Sequence, residues 1–342
     1  MNQHRVIVAG CGGMSRVWLD YAMSRDGIGI AALVDLEEEA ARRRAAECGL
    51  DVPIFTDLKE ALSRVEADVV FDVTVPSSRR AIVTTALAAG CHVFAEKPLA
   101  ETRADAKEIV RTAERTGRRC AIMQNRRYNR QIRALRELVA SGELGAIGSI
   151  HADFFIGPHF GGFRDLMESP LLVDMAIHTF DQARFISGAD PVSVYCHEYN
   201  PPGSWYKGNA SAVCIFEMSD GSVFTYRGSW CAEGFPTSWE ADWRVIGSRG
   251  TARWDGRSMP VAEIADEAAG GFIRPVRRVE AGTVWNGREG HAGCLDEMFA
   301  ALEEGRPAET DCADNLKSMA MVFGAIESAR TGRKVALDGI AG

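Results

Sequence analysis

Cys91-His92-Val93-Phe94-Ala95-Glu96-Lys97-Pro98-Leu99 is the stretch whose reading decides the fold. Its first five residues form an apolar run, a buried strand, that ends abruptly on an acid, a base and a proline. Strand ends are where an open α/β sheet presents its ligand-binding groups. Proline fixes its own φ and pushes the residue before it out of the helical region. Lys97 is therefore held at the strand end rather than carried away on a helix. A cis Lys97–Pro98 bond is accessible, since the trans preference at X–Pro is only about 0.5–1 kcal/mol. The same residues also read as a strand, a charged pair and a plain turn, so the surrounding pattern has to choose.

Upstream, residues 4–9 (HRVIVA) form a β-branched strand that runs into Gly10-Cys11-Gly12-Gly13-Met14-Ser15, and helical spacing of apolar residues follows. This is Gly-x-Gly-x-x-Ser at a strand-to-helix turn. Gly10 permits the tight turn, Gly12 lets backbone approach a pyrophosphate, and Gly13, Met14 and Ser15 open the helix on which that pyrophosphate sits. A second strand, residues 29–34, ends at Asp35, about 20 residues past the glycines, where an acid receives the ribose 2′-hydroxyl of NAD. Asp35 also fits the cap of the helix behind it. A carboxylate there repels a 2′-phosphate. Arg42, Arg43 and Arg44 lie further along the next helix, so NAD is favoured over NADP.

The alternation continues with a helix at 57–63, a strand at 68–73 and a turn at 74–78. A helix at 79–89, the quoted strand, a helix at 102–116 and a strand at 119–123 complete it. This predicts a doubly wound parallel sheet over residues 1–124. Thr74, Pro76, Glu96 and Lys97 then fall at strand carboxyl ends on the side of the Gly-rich turn, as cofactor-binding candidates.

From Ile147 the pattern changes to strands punctuated by Gly and Pro turns, at about 149–156, 192–197, 210–217, 222–229, 239–246 and 251–254. That predicts an α+β domain with a largely antiparallel open sheet over residues 125–342. A helix at about 170–187 interrupts it. Helices at 289–303 and 312–331 close the chain and are expected to pack back towards the first domain. Residues 262–282, Gly/Ala-rich without clear period, read as a loop. On the interrupting helix, Asp174 and His178 share a face at i,i+4, and Asp181 continues it. Apolar neighbours surround them, so the acid and the imidazole need partners, and Asp174 is placed to orient His178 for proton transfer. A satisfied core histidine is the other reading of His178. A metal site lacks a third ligand here.

Composition bounds the rest. The 342 residues are 46% hydrophobic and 25% charged, with 47 acids against 39 bases for a net charge of −8. That argues against nucleic acid. No apolar run reaches the ~18 residues of a membrane helix, and the N-terminus shows no signal-peptide pattern. Nine cysteines without Cys-x-x-Cys spacing read as reduced thiols of a cytoplasmic protein.

These residues in this order resemble the Gfo/Idh/MocA family, glucose–fructose oxidoreductase, inositol dehydrogenase and their relatives. Glu96-Lys97-Pro98 is the most specific motif, Asp174-x-x-x-His178-x-x-Asp181 the next, and residues 141–148 (SGELGAIG) fit the segment entering the second domain. The resemblance implies a Rossmann domain with bound NAD, then an open sheet used for oligomer contacts. It also implies that Lys97, Asp174 and His178 meet at the nicotinamide, as both catalytic and substrate-binding residues. Ser15, Arg80 and Ser169-Pro170 depart from the usual pattern. Arg127, with its neighbours Arg126 and Tyr128, and His159 and Arg164 in a Gly-rich loop are further substrate-binding candidates.

The expected function is NAD-dependent hydride transfer to or from a sugar, cyclitol or related polyol. Two alternatives stay open, an NAD-dependent glycosidase of the same family and a non-catalytic NAD-sensing regulator. A homodimer or homotetramer is expected through the second sheet, with Val213, Ile215, Val223, Phe224 and Tyr226 on its free face.

Overall fold

The computed structural model describes residues 4–282 and 285–337. They form two compact units. The first takes the residues up to Gln124 together with His291–Leu316; the second takes Asn125–Gly290 and the residues from Lys317 onward.

In the first unit, strands and helices alternate as β1 (His4–Ala9), α1 (Ser15–Ser24), β2 (Ile28–Val34), α2 (Glu38–Cys48), β3 (Ile54–Phe55), α3 (Leu58–Arg64), β4 (Val69–Asp72), α4 (Pro76–Ala88), β5 (His92–Ala95), α5 (Arg103–Thr116) and β6 (Cys120–Ile122). The six strands are parallel, in the order β3-β2-β1-β4-β5-β6. Order reverses beside β1, so a crevice opens at the carboxyl ends of β1 and β4, where open α/β sheets bind ligands. Strands covered on both faces read as near-continuous apolar runs. Accordingly Val6, Ile7, Val8, Val69, Val70, Phe71 and Val93 are all fully buried. Pro76 opens α4 at its first turn, so the expected turn at 74–78 is shorter than the sequence suggests. A proline there loses nothing, because the first N–H groups of a helix have no internal partner.

The second unit contains α6 (Arg130–Ala140), β7 (Ile147–Phe155), a π-helical turn at Leu171–Ala176 running into α7 (Ile177–Ser187), then β8 (Pro191–Tyr199), β9 (Ser211–Met218), β10 (Val223–Ser229), β11 (Asp242–Gly247), β12 (Gly250–Trp254), β13 (Val261–Ala265) and β14 (Val276–Glu280). Helix α8 (Gly290–Glu303), from His291 on, belongs to the first unit; α9 (Cys312–Thr331) starts in the first unit and passes into the second at Lys317, and β15 (Val335–Ala336) follows. Nine strands make one sheet, β14-β13-β12-β11-β7-β10-β9-β8-β15, with every pair antiparallel except β7 and β10. Phe180 of α7 packs edge-on against Phe216, Phe224 and Tyr226, which fixes the covered face.

Three sequence expectations are corrected. Residues 262–282 are not simply a loop, because β13 and β14 pair at the sheet edge; Val-Arg-Arg-Val-Glu at β14 is exposed on both faces and so lacks the alternation that marks a strand. The strand expected at 239–246 begins only at Asp242. Phe224 and Tyr226 do not lie on the free face. Side chains alternate along a strand, and Phe224 and Tyr226 are fully buried, whereas Val213 and Ile215 are 38% and 47% exposed on the opposite side. Tyr195 and Ile246 join those two on the free face.

Candidate active site

The cofactor half lies in the first unit. Gly10 has φ +91°, and a Cβ there would stand 2.6 Å from the Val73 carbonyl, so no side chain fits between β1 and β4. At Gly12 and Gly13 a Cβ would meet nothing within 4 Å, which leaves a cradle open above the turn. The Gly12 carbonyl accepts from the Ser15 hydroxyl at 2.6 Å, the Ser15 N–H at 3.2 Å and Arg44 Nη2 at 2.9 Å. In a trans peptide the next N–H points the opposite way, so the N–H of Gly13 is turned out of the helix start. Met14 caps α1 with helical dihedrals. The small, fully buried Ser15 is the departure from glycine or alanine, and it adds a hydrogen bond.

Asp35 follows β2. Its Oδ2 accepts from the Cys11 N–H at 2.7 Å and its Oδ1 from the Glu37 N–H at 3.0 Å, which orients the carboxylate beside the Gly-rich turn. It does not cap α2; Glu37 holds that position. Burial, then the nearby Asp35 charge, pushes the Cys11 thiol up to about 12, so it stays an inert thiol. A cavity of about 550 Å³, within the range of small-ligand sites, is lined by Gly10, Gly12, Asp35, Leu36, Thr74 and Val75 among others. Carboxylate, open glycines and cavity fit a dinucleotide.

At the end of β5 the Lys97–Pro98 peptide bond is cis. Glu96 is 8% exposed, and its Oε1 accepts from Trp18 Nε1 at 2.9 Å and lies 3.6 Å from His291 Nε2. Burial alone would raise this carboxyl; the His291 hydrogen bond and charge, with smaller help from Trp18 and Lys97, outweigh it and hold the pKa below the ordinary value. The Lys97 N–H donates to Glu96 Oε2 at 3.2 Å. His291 escapes a sequence reading because it lies 195 residues away. At the end of β4, Asp72 Oδ1 accepts from the Thr74 N–H at 2.9 Å and hydroxyl at 2.6 Å, and its Oδ2 from Arg79 Nε at 3.2 Å.

The second unit carries the other candidates. Asp174 sits in the π-helical turn and His178 in the first turn of α7, 7% exposed. Such π segments inside helices are frequent at functional sites. Arg164 Nε donates to Asp174 Oδ2 at 2.6 Å, and its guanidinium lies over the Phe160 and Phe163 rings. His159 stacks on Trp205 at 3.7 Å and pairs with Glu233 at 3.1 Å. Arg127 is committed elsewhere in the fold. Its guanidinium grips buried Asp181 through two bonds, Nε to Oδ2 at 2.7 Å and Nη2 to Oδ1 at 2.6 Å. Arg126, its neighbour, instead donates to the Trp239 carbonyl and lies 3.7 Å from Met175 Sδ on the Asp174 helix. Burial lowers the Arg126 pKa, against the opposing pull of Glu240 at 3.8 Å. Glu198 is a titratable group that the sequence reading missed. Burial pushes its carboxyl up to about 7, although it accepts from the Ser169 hydroxyl at 3.0 Å just ahead of the Asp174 helix. Among the described residues no cluster of three metal-ligating side chains occurs, and no helix is long and apolar enough to cross a membrane.

A family model described as an oxidoreductase family with an NAD-binding Rossmann fold matches residues 4–124, and one described as a GFO/IDH/MocA C-terminal domain matches residues 132–253. An uncharacterised protein of Sinorhizobium fredii is 30% identical over 97% of this chain and 95% of its own. A D-apiose dehydrogenase of Paraburkholderia graminis is 28% identical over 97% of this chain and 89% of its own. An oxidoreductase from Agrobacterium radiobacter, crystallised with NAD+, L-tartaric acid and magnesium, superposes with a TM-score of 0.86 over 99% of this chain and 100% of its own, at 24% identity.

Proposed function

This chain belongs to the Gfo/Idh/MocA family of NAD-binding oxidoreductases, and from that membership we propose that it is a dehydrogenase of a sugar, cyclitol or related polyol. NAD, when bound, supplies a hydride acceptor at nicotinamide C4. In the oxidative direction the substrate CH–OH would give up a hydride to that acceptor and one proton to the protein, becoming a carbonyl. His178 takes the hydroxyl proton, with the Asp174 carboxylate orienting and charge-stabilising the imidazole. Lys97 stabilises the oxyanion that develops as the proton leaves.

Gly10, Gly12, Gly13, Met14 and Ser15 would hold the pyrophosphate, Asp35 the adenosine ribose, and Thr74, Pro76 and Glu96 the nicotinamide end. The name of the D-apiose dehydrogenase relative supports a sugar substrate. Arg164, Arg127 and Arg126 each have a carboxylate beside them, Asp174, Asp181 and Glu240 respectively. That closure favours an uncharged, hydroxyl-rich substrate over an acidic one. His159 and Arg164 remain the candidates for contact with its hydroxyls. The exposed sheet face at Tyr195, Val213 and Ile215 is proposed to carry a homodimer or homotetramer.

The observation that carries the reading is the anchoring of Lys97. The residue before it, Glu96, is held by Trp18 and His291, and the one after it, Pro98, accepts from the buried Arg79. A lysine needed only for solubility requires no such mounting. The test is a panel of sugars, cyclitols and polyols with NAD, followed by NADH absorbance. NADH production with at least one member is expected. A protein that binds NAD and reduces none of it across the panel contradicts the proposal.

A further inference from the structure

We propose that Arg79, held by Asp72, is the positioning residue of Lys97. The Arg79 side chain is 0% exposed, as is that of Asp72. A guanidinium in such a place carries a large desolvation cost unless geometry and hydrogen bonds are excellent, and replacing such a pair by apolar residues is often neutral or stabilising. Stability alone is therefore a poor reason for the pair.

Its bonds say what else it does. Nε donates to Asp72 Oδ2 at 3.2 Å, Nη2 to the Thr74 carbonyl at 2.6 Å, and Nη1 to the Pro98 carbonyl. The other Asp72 oxygen takes both the N–H and the hydroxyl of Thr74. One planar, permanently charged group thus joins the end of β4, the turn that starts α4, and the residue immediately after Lys97. Arginine suits this because its fork is rigid and its donors diverge in one plane; lysine has a single point of attachment. Glu96, on the other side of Lys97, is fixed separately by Trp18 and His291. The Lys97 backbone is therefore fastened at both flanks, and Arg79 makes the fastening on the Pro98 side. Arg79 touches neither substrate nor cofactor in this scheme. It acts through Lys97, and so rests on the proposed role of that lysine.

The test uses the full-length protein with Arg79→Lys, Asp72→Asn and the apolar double variant Asp72→Leu/Arg79→Met. Melting temperature, NAD affinity, turnover and the rate of Lys97 acetylation, read by peptide mass spectrometry, are measured together. A displacement of about 1 Å at a reacting group costs about 10²-fold in rate. The double variant removes both charges but leaves the Pro98 and Thr74 carbonyls without their donor, so it is expected to fold but melt several degrees below the parent, and to lose turnover by about that factor with substrate KM little changed. Its Lys97 acetylation rate should change clearly, and Arg79→Lys should recover part of both. Unchanged turnover and unchanged acetylation in a folded double variant overturn the proposal. Should the double variant not fold, Arg79→Lys and Asp72→Asn decide on the same readouts. A parent protein that turns over nothing overturns the dehydrogenase reading instead, and the acetylation arm still decides whether Arg79 positions Lys97.

Discussion

Removing the Arg127 guanidinium should destabilise the second unit rather than weaken substrate binding. The Arg127 side chain is 6% exposed and that of Asp181 2%, and two short bonds join them. In Arg127→Met, Asp181 keeps the Ser318 hydroxyl at 2.7 Å but loses its counterion. Stranding one member of a buried pair costs about 3–5 kcal/mol. For a body of this size each kcal/mol moves the melting temperature by about 2–4 °C, so the transition should fall by roughly 6–20 °C. Differential scanning calorimetry reads this directly, because the two units need not melt together. The double variant Arg127→Met/Asp181→Leu removes both charges and should recover most of the loss. If Arg127→Met instead melts within about 1 °C of the parent while KM rises steeply, the guanidinium binds substrate, as the sequence suggests, and the structural assignment is wrong.

Three other outcomes are expected. NAD should bind more tightly than NADP, and Asp35→Ser should narrow the difference, because a carboxylate beside a 2′-phosphate is repulsive; fluorescence titration of both cofactors checks it, and equal affinities in the parent sink the argument. Glu198 holds a proton in the folded state up to about pH 7, well above its ordinary value of 4.5, so between those limits the unfolded chain has fewer protons and stability falls as pH rises; Glu198→Gln should abolish that slope and raise the melting temperature more at about pH 8 than at about pH 5. Ile215→Asp on the exposed sheet face should shift the light-scattering mass towards the monomer without moving NAD affinity, and a parent that is already monomeric at micromolar concentration refutes the assembly.

What the sequence discloses here is what depends on local spacing. The Gly10 turn, Asp35 at the next strand end and the helices starting at about 57 and 102 all follow from residues close in the chain, and the parallel sheet follows from their repetition. The sequence also marks α7 and its apolar surroundings. It does not disclose partners. Arg127 looks like a surface or substrate-facing base until Asp181, 54 residues on, is folded against it. Arg79 lies one residue from the Arg80 that draws attention, yet Arg79 is the buried one, and its Pro98 contact spans 19 residues. Hydrophobicity alone groups Phe224 and Tyr226 with Val213 and Ile215, because it does not say which face of β10 is covered. The register does, pairing Phe224 with Phe216 and Thr225 with Ile215. At β14 the failure has a different cause, since an edge strand exposed on both faces has no pattern to read.

The most direct test of the proposed chemistry is turnover set against NAD affinity in Lys97→Met and His178→Ala, on whichever polyol or sugar the parent oxidises. Both variants should bind NAD with near-parental affinity, since neither residue is assigned to the phosphates or the adenosine. Lys97→Met should be severely impaired, and His178→Ala should lose about 10²–10⁴-fold, the range for removal of a general base. Near-parental turnover in both variants would place the chemistry on other residues and contradict the assignment.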